Sequence, residues 1–186
     1  FAYEPIIASG AGACTLHYFD NDQVCQDGDM LLLDVAAEYA NYNSDLTRTI
    51  PVNGKFTERQ RQVYDAVLRV FRQAVDWLAP GMVLKPYQDQ VGKLMEGELI
   101  ELGLLKAEEV ADQDPDKPLF KKYFMHGTAH HIGLDVHDVG DTWRPMEPGM
   151  VFTCEPGIYI PEENLGVRLE NDILITEAGR VDLMES

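Results

Sequence analysis

From Thr57 onward the apolar residues stop running together and recur at every third or fourth position. Val63, Val67, Val70, Phe71, Ala74, Val75 and Leu78 would share one face of a helix. Thr57 and Gln60 have the spacing of a capping box and Pro80-Gly81 is a stop, so a helix is predicted over 57–79. Pro86 suits the first turn of a second helix over 86–102, which carries Val91, Leu94, Met95 and Leu99 as core residues and stops at Gly103. On both sides the pattern is that of strands. "MLLLDVAAEYA" (30–40) and "DLTRTIPV" are joined by the turn residues "NYNS", which reads as a hairpin; "GMVFTCEPGIYI", "GVRLEND" and "ILIT" follow the helices. Strands, a helix pair and strands again describe an α+β domain.

The polar connection "KAEEVADQDPDKP" (106–118) is too short to separate two domains, so residues 1–186 are expected to form one. Its 32 acidic residues against 15 basic ones leave a formal charge of −17, and no Lys/Arg block forms a basic stripe. Nucleic acid and anionic membrane would be repelled. No apolar run is long enough to span a membrane. The opening "FAYEPIIASG" lacks an initiator Met, a basic n-region and a signal-like apolar core, and reads as the start of a fragment. Cys14, Cys25 and Cys154 have no Cys-x-x-Cys spacing, which argues against a disulfide framework and a thiolate zinc site. A reducing compartment fits best, so a cytoplasmic location is expected.

Chemistry concentrates in "FMHGTAHHIGLDVHDVG" (124–140), where His126, His130, His131 and His137, four of the chain's five histidines, fall within twelve residues. Elsewhere, Asp34 interrupts an apolar strand and Glu170 follows Leu169, places where an ionised carboxylate is costly without a cation. Asp34 and Asp45 would meet across the hairpin. On a continuous strand Arg168, Glu170 and Asp172 would share a face, whereas Cys154 and Glu155 would point oppositely. Oxygen ligands with one imidazole suit hard or borderline divalent ions such as manganese. Two ions sharing bridging carboxylates would lower the pKa of a water between them and stabilise the oxyanion formed by its attack, which is hydrolase chemistry. The His126 and His130 spacing of four also occurs in zincin peptidases, but Gly127 stands where their Glu is needed.

"LLLDVAAEYANYNSDLTRTIPVNGKFT", "FMHGTAHHIGLDVHDVG", "EPGMVFTCEPGIYI" and "GVRLENDILIT" together resemble the catalytic domain of Xaa-Pro aminopeptidases (aminopeptidase P), in the pita-bread metallopeptidase family. The resemblance implies a pita-bread fold, a curved antiparallel sheet covered by helices, here truncated at its N-terminus. It implies that Asp34 holds one metal, that Asp45 and Glu170 bridge the pair, and that His130 and Glu155 complete the second. Glu155 would also act as general base. His17, His126 and His137 would bind the scissile carbonyl, steady the tetrahedral intermediate and move protons to the proline nitrogen. Arg168 would support the carboxylates, although an ordinary strand-face ion pair also explains it; Tyr159 would stand near the cleft, or pack in the core. His131 has no family role and reads as packing or as support behind the ligands. Asn171 replaces an acid often found there and should face away from the metals.

The implied activity is dinuclear hydrolysis, through a metal-bridging hydroxide, of the bond between an N-terminal residue and a following proline. The cofactors would be two divalent ions, Mn2+ first, with Co2+ and Zn2+ as alternatives. Substrates would be peptides with proline in the second position. A prolidase restricted to dipeptides is the runner-up, and a non-catalytic peptide-binding or protein-binding module of the same fold is a third reading. Family members of the proline-directed branch carry an N-terminal domain and opening helices absent from this sequence. One sheet face should therefore be uncovered, the full-length protein is expected to be a homo-oligomer, and the fragment alone should turn over weakly.

Overall fold

Thr57 caps the first helix as its sequence requires. In the computed structural model, which describes residues 1–184, Gln60 N–H donates to Thr57 Oγ1 at 3.2 Å and Thr57 N–H donates to Gln60 Oε1 at 2.8 Å. Helix α1 (Glu58–Trp77) then buries Val63, Val67 and Val70 completely. Each such side chain contributes roughly 1.5–3 kcal/mol relative to an exposed one. Helix α2 (Leu84–Glu101) begins two residues before Pro86, which occupies the third helical position, where its missing N–H costs no intrahelical bond. Its Tyr87, Val91, Met95 and Leu99 are fully buried, and it packs along α1. The 106–118 connection is less plain than expected, because it contains a short helix, α3 (Ala107–Ala111).

The helices are flanked by the predicted strands. β1 (Ile6–Ser9), β2 (Met30–Asp34) and β5 (Thr47–Pro51) form an antiparallel sheet in the order β1-β2-β5, with Asp34 opposite both Ile6 and Thr47. Between β2 and β5 the expected single hairpin is corrected. β3 (Glu38–Tyr39) and β4 (Tyr42–Asn43) make a small ribbon of their own, turned at Ala40 and Asn41 with φ of 52° and 66°. That double left-handed turn matches the twist of a two-residue hairpin. Asp45 therefore lies in the irregular link before β5, not on a strand.

After the helices come β6 (Val151–Cys154), β7 (Gly157–Ile160), β8 (Leu165–Arg168), β9 (Asn171–Thr176) and β10 (Gly179–Asp182). They pair as β10-β9-β6 and β7-β8. The histidine-rich segment runs beside β6: Thr153 N–H donates to His130 O at 3.0 Å and Glu155 N–H to Thr128 O at 2.8 Å. Phe152, Ile158, Val167 and Ile173 meet the helix pair in the main core. A smaller cluster of Ile6, Ala8, Leu32 and Tyr159 lies at the β1-β2 end. There β8 passes so near the 10–14 turn that a Cβ on Gly166 would lie 2.2 Å from Ala13 O, which requires glycine. The outer face of β1-β2-β5 leaves Ile7 and Ile50 at 42% and 48% exposure.

Candidate active site

The alternation of β2 turns Met30, Leu32 and Asp34 inward together, so a carboxylate is buried on the face that buries two apolar side chains. Its oxygens are both claimed. Arg168 Nη2 donates to Asp34 Oδ2 at 2.5 Å, and the Tyr3 hydroxyl sits between Asp34 Oδ1 and Asp45 Oδ1, 2.6 Å from the latter. Asp45 N–H donates to Asp172 Oδ2 at 3.0 Å, which anchors the link that carries Asp45.

β5 supplies the next layer, because Thr47 and Thr49 are its inward residues. Thr47 Oγ1 donates to Glu170 Oε2 at 2.6 Å and accepts from Arg168 Nε at 3.0 Å. Thr49 Oγ1 donates to Arg168 O and accepts from Arg168 N–H, at 2.9 and 3.1 Å. The expectation that Arg168, Glu170 and Asp172 alternate along one strand is corrected: β8 ends at Arg168, β9 begins at Asn171, and Leu169 and Glu170 bridge the two. Arg48 fixes that break from outside by donating to Glu170 O and Asn171 Oδ1, both at 2.7 Å. Asn171 also binds Asp182, at 2.6 Å, and so faces away from the cluster.

His130 arrives from the segment beside β6. Its Nδ1 donates to His131 O at 2.9 Å, which in the neutral ring leaves the Nε2 lone pair facing Asp45 Oδ2 and Glu155 Oε1, each 3.6 Å away. Donor atoms of Asp45, His130 and Glu170 all lie within 4.8 Å of one another. Asp34, Asp45, His130, Glu155 and Glu170 line one cleft of about 340 Å³. Arg168, His17, His126 and His137 line it as well.

The site is short of positive charge. Burial raises the pKa of Asp34, Glu155 and Glu170, Glu155 to about 7, although Arg168 pulls all three down and His130 also lowers Glu155. Burial likewise takes Asp172 to about 7. Burial opposes charge on His130, but its contacts with Asp45 and Glu155 outweigh that and raise its pKa. His126 goes the other way, to about 4, through burial and then Arg168. Four cleft carboxylates around one guanidinium are a donor set for divalent cations, and hard oxygens with one imidazole fit ions of the manganese type.

The histidines differ in freedom. His126 has both ring nitrogens engaged, Nε2 with the Tyr159 hydroxyl at 2.8 Å and Nδ1 with Gly127 O at 2.7 Å, so contact with a substrate carbonyl requires one bond to open. His17 and His137 are exposed, with no side-chain hydrogen bond among the described residues, and His137 stacks edge-on against His130 at 4.5 Å. Tyr159 does not line the cleft. It is fully buried, accepts from Arg168 Nη1 at 2.9 Å and touches the cleft only through Arg168 and His126. The His131 ring packs on Phe152 at 4.4 Å, while Cys154 points away from Glu155 into the core beside Tyr87. Sequence reasoning missed Tyr3, Thr47 and Leu16. The inward register of β5 carried a signal for Thr47; a lone tyrosine near the chain's start carried none.

The sequence profile of metallopeptidase family M24 matches residues 1–177. The chain belongs to that family. The Xaa-Pro aminopeptidase of Haemophilus influenzae is 43% identical over 190 residues, covering 96% of this chain and 44% of that protein. Among solved structures, proline aminopeptidase P II from Yersinia pestis superposes with a TM-score of 0.90 at 41% identity, covering 98% of this chain and 44% of that one. Zinc-substituted E. coli aminopeptidase P in complex with product gives 0.89 at 41% identity, with the same coverage. The pita-bread fold implied by the motifs is thus the fold of this M24 chain, which spans less than half the length of the relatives it matches.

Proposed function

We propose that this chain is the catalytic part of a dinuclear metallo-aminopeptidase that releases an N-terminal residue preceding proline. The observation that carries the reading is the convergence of Asp34, Asp45, His130, Glu155 and Glu170 on one cleft from positions up to 136 residues apart (170 − 34). Asp34 and Asp45 would hold one ion, His130 and Glu155 the other, and Asp45 and Glu170 would be shared. When bound, two divalent ions, manganese foremost, supply an activated water and a Lewis acid for the scissile carbonyl.

The chain's own residues do the rest. Tyr3 and Thr47 orient the carboxylates through their hydroxyls. Glu155, in the cleft beside His130, takes the water's proton and returns it to the departing proline nitrogen. His17 and His137, with free ring nitrogens, bind the carbonyl and the developing oxyanion, and His126 backs them from its seat on Tyr159. Four carboxylates balance two divalent ions, and Arg168 adds the positive charge that offsets a hydroxide nucleophile. The likeness to proteins named Xaa-Pro aminopeptidase supports peptides with proline in second position as substrates.

The test is Asp45→Ala in the full-length protein, assayed with manganese on an Xaa-Pro peptide. Loss of an outer partner to a ligand costs ~10–100-fold, so loss of a shared ligand should cost more than about 100-fold in kcat/KM. Metal analysis should find fewer bound ions. A near-wild-type rate would overturn the assignment.

A further inference from the structure

Helix α2 meets the histidine-rich segment with the face that carries Gln88 and, four residues on, Gly92. A Cβ on Gly92 would lie 2.6 Å from the Phe120 ring, so glycine leaves the seat into which that ring fits. Phe120 packs on Phe124, and Phe124 meets the His126 ring edge-on at 5.0 Å. The second contact is polar. Gln88 Oε1 accepts from Thr128 N–H at 2.9 Å, and Gln88 Nε2 donates to Ala129 O at 3.2 Å. Neither backbone group has another partner among the described residues, and Thr128 and Ala129 are 1% and 4% exposed. Without the Gln88 amide, both groups would be buried and unpaired, a costly state.

The opposite edge of the same stretch is tied to β6, where Thr128 O accepts from Glu155 N–H and His130 O from Thr153 N–H. Residues 128–130 are thus held between a strand and a single side chain. Gln88 does for the outer edge what a neighbouring strand does elsewhere in a sheet. Three cleft groups depend on that stretch: His126 precedes it, His130 belongs to it, and Glu155 hangs from it by a backbone hydrogen bond. Asp34 and Asp45 do not, because β1, β5 and Asp172 hold their backbone.

We propose that Gln88 is a positioning residue, a strut that keeps His130 and Glu155 facing each other and so sets the cation affinity of their half of the site. The proposal rests on the two-ion reading given above and deepens it. Gly127 belongs to the same device. A Cβ there would lie 2.9 Å from Gln88 Nε2, so alanine would displace the amide without altering it.

The test uses the full-length protein and three variants. Gln88→Met keeps the length of the side chain and removes both bonds, whereas Gly127→Ala dislodges the amide by contact. Leu99→Ala loosens the apolar layer on the same helix and serves as the control for lost stability. Manganese titration should show one site, the one that His130→Ala abolishes, weakened about tenfold in the first two variants, with the other changed less than about twofold. Leu99→Ala should leave both as they are. In the first two variants kcat on Ala-Pro-Leu should fall about tenfold, with KM within about twofold. Hydrogen exchange on the metal-stripped protein reads the strut itself: the Thr128 and Glu155 amides should exchange at least about tenfold faster in Gln88→Met than in Leu99→Ala. If Gln88→Met does not fold, Gly127→Ala carries every readout. Faster exchange in a protein whose wild type binds no manganese would keep the strut and sink the peptidase reading. With two ions and turnover in the wild type, exchange or affinity matching Leu99→Ala would overturn the proposal alone, as would equal weakening of both sites.

Discussion

The layer between the helix pair and strands β6 to β9 and the wall built from β2, β5 and the 128–132 segment are both buried, yet they bury different things. The first encloses Val67, Leu99, Phe152 and Ile173, which need only contact to be satisfied. The second encloses Asp34, Asp45, Glu170 and Arg168, whose hydrogen bonds fix positions but leave an excess of negative charge. The first region is complete as a polypeptide, whereas the second, on the function proposed above, is completed by cations. Stability and cation affinity should therefore be separable properties of one small domain.

The sharpest way to break that comparison is Leu99→Ala. The side chain is fully buried in the apolar layer, so stability should fall by about 2–5 kcal/mol while affinity for manganese stays unchanged. Denaturant unfolding and calorimetry would measure the two quantities; a weakened affinity would mean that the layers are mechanically coupled. Next, manganese at about 100 times its Kd should stabilise the protein by ~2.7 kcal/mol. For a domain of this size that is a rise in Tm of about 5–10 °C. The rise should disappear in Asp45→Ala, and an equal rise in that variant would place the ions elsewhere. The smallest effect expected is that of Tyr3→Phe, which removes the hydroxyl lying between Asp34 and Asp45. Manganese affinity should fall about tenfold with little change in the unfolding midpoint of the metal-free protein. An unchanged Kd would show that the two carboxylates hold their orientation without it.

The same division explains how much the sequence disclosed. The apolar layer was legible because periodicity and capping act locally: Thr57, Gln60 and the valine face of α1 needed no distant partner to be read. The carboxylates at Asp34 and Glu170 were also conspicuous, since ionised groups among apolar neighbours demand an explanation. Positions set by irregular backbone were not legible. Asp45 sits in a link created by the small β3-β4 ribbon, and Glu170 sits in a break between strands, so alternation gave the right neighbours by the wrong route. Tyr3 was invisible because its significance lies in partners 31 and 42 residues away. For Tyr159 both a place near the cleft and a place in the core stayed open, since sequence cannot tell a side chain that touches a cleft from one that stands behind Arg168.

Thr47 and Glu170 are hydrogen-bonded across 123 residues, and the cluster draws on both ends of the chain. During synthesis, Asp34 and Asp45 leave the ribosome long before Glu170 exists. If the cluster holds ions as proposed, a nascent chain displays acids that cannot yet capture one tightly, and strong cation capture becomes a late event that reports successful assembly of the whole cleft.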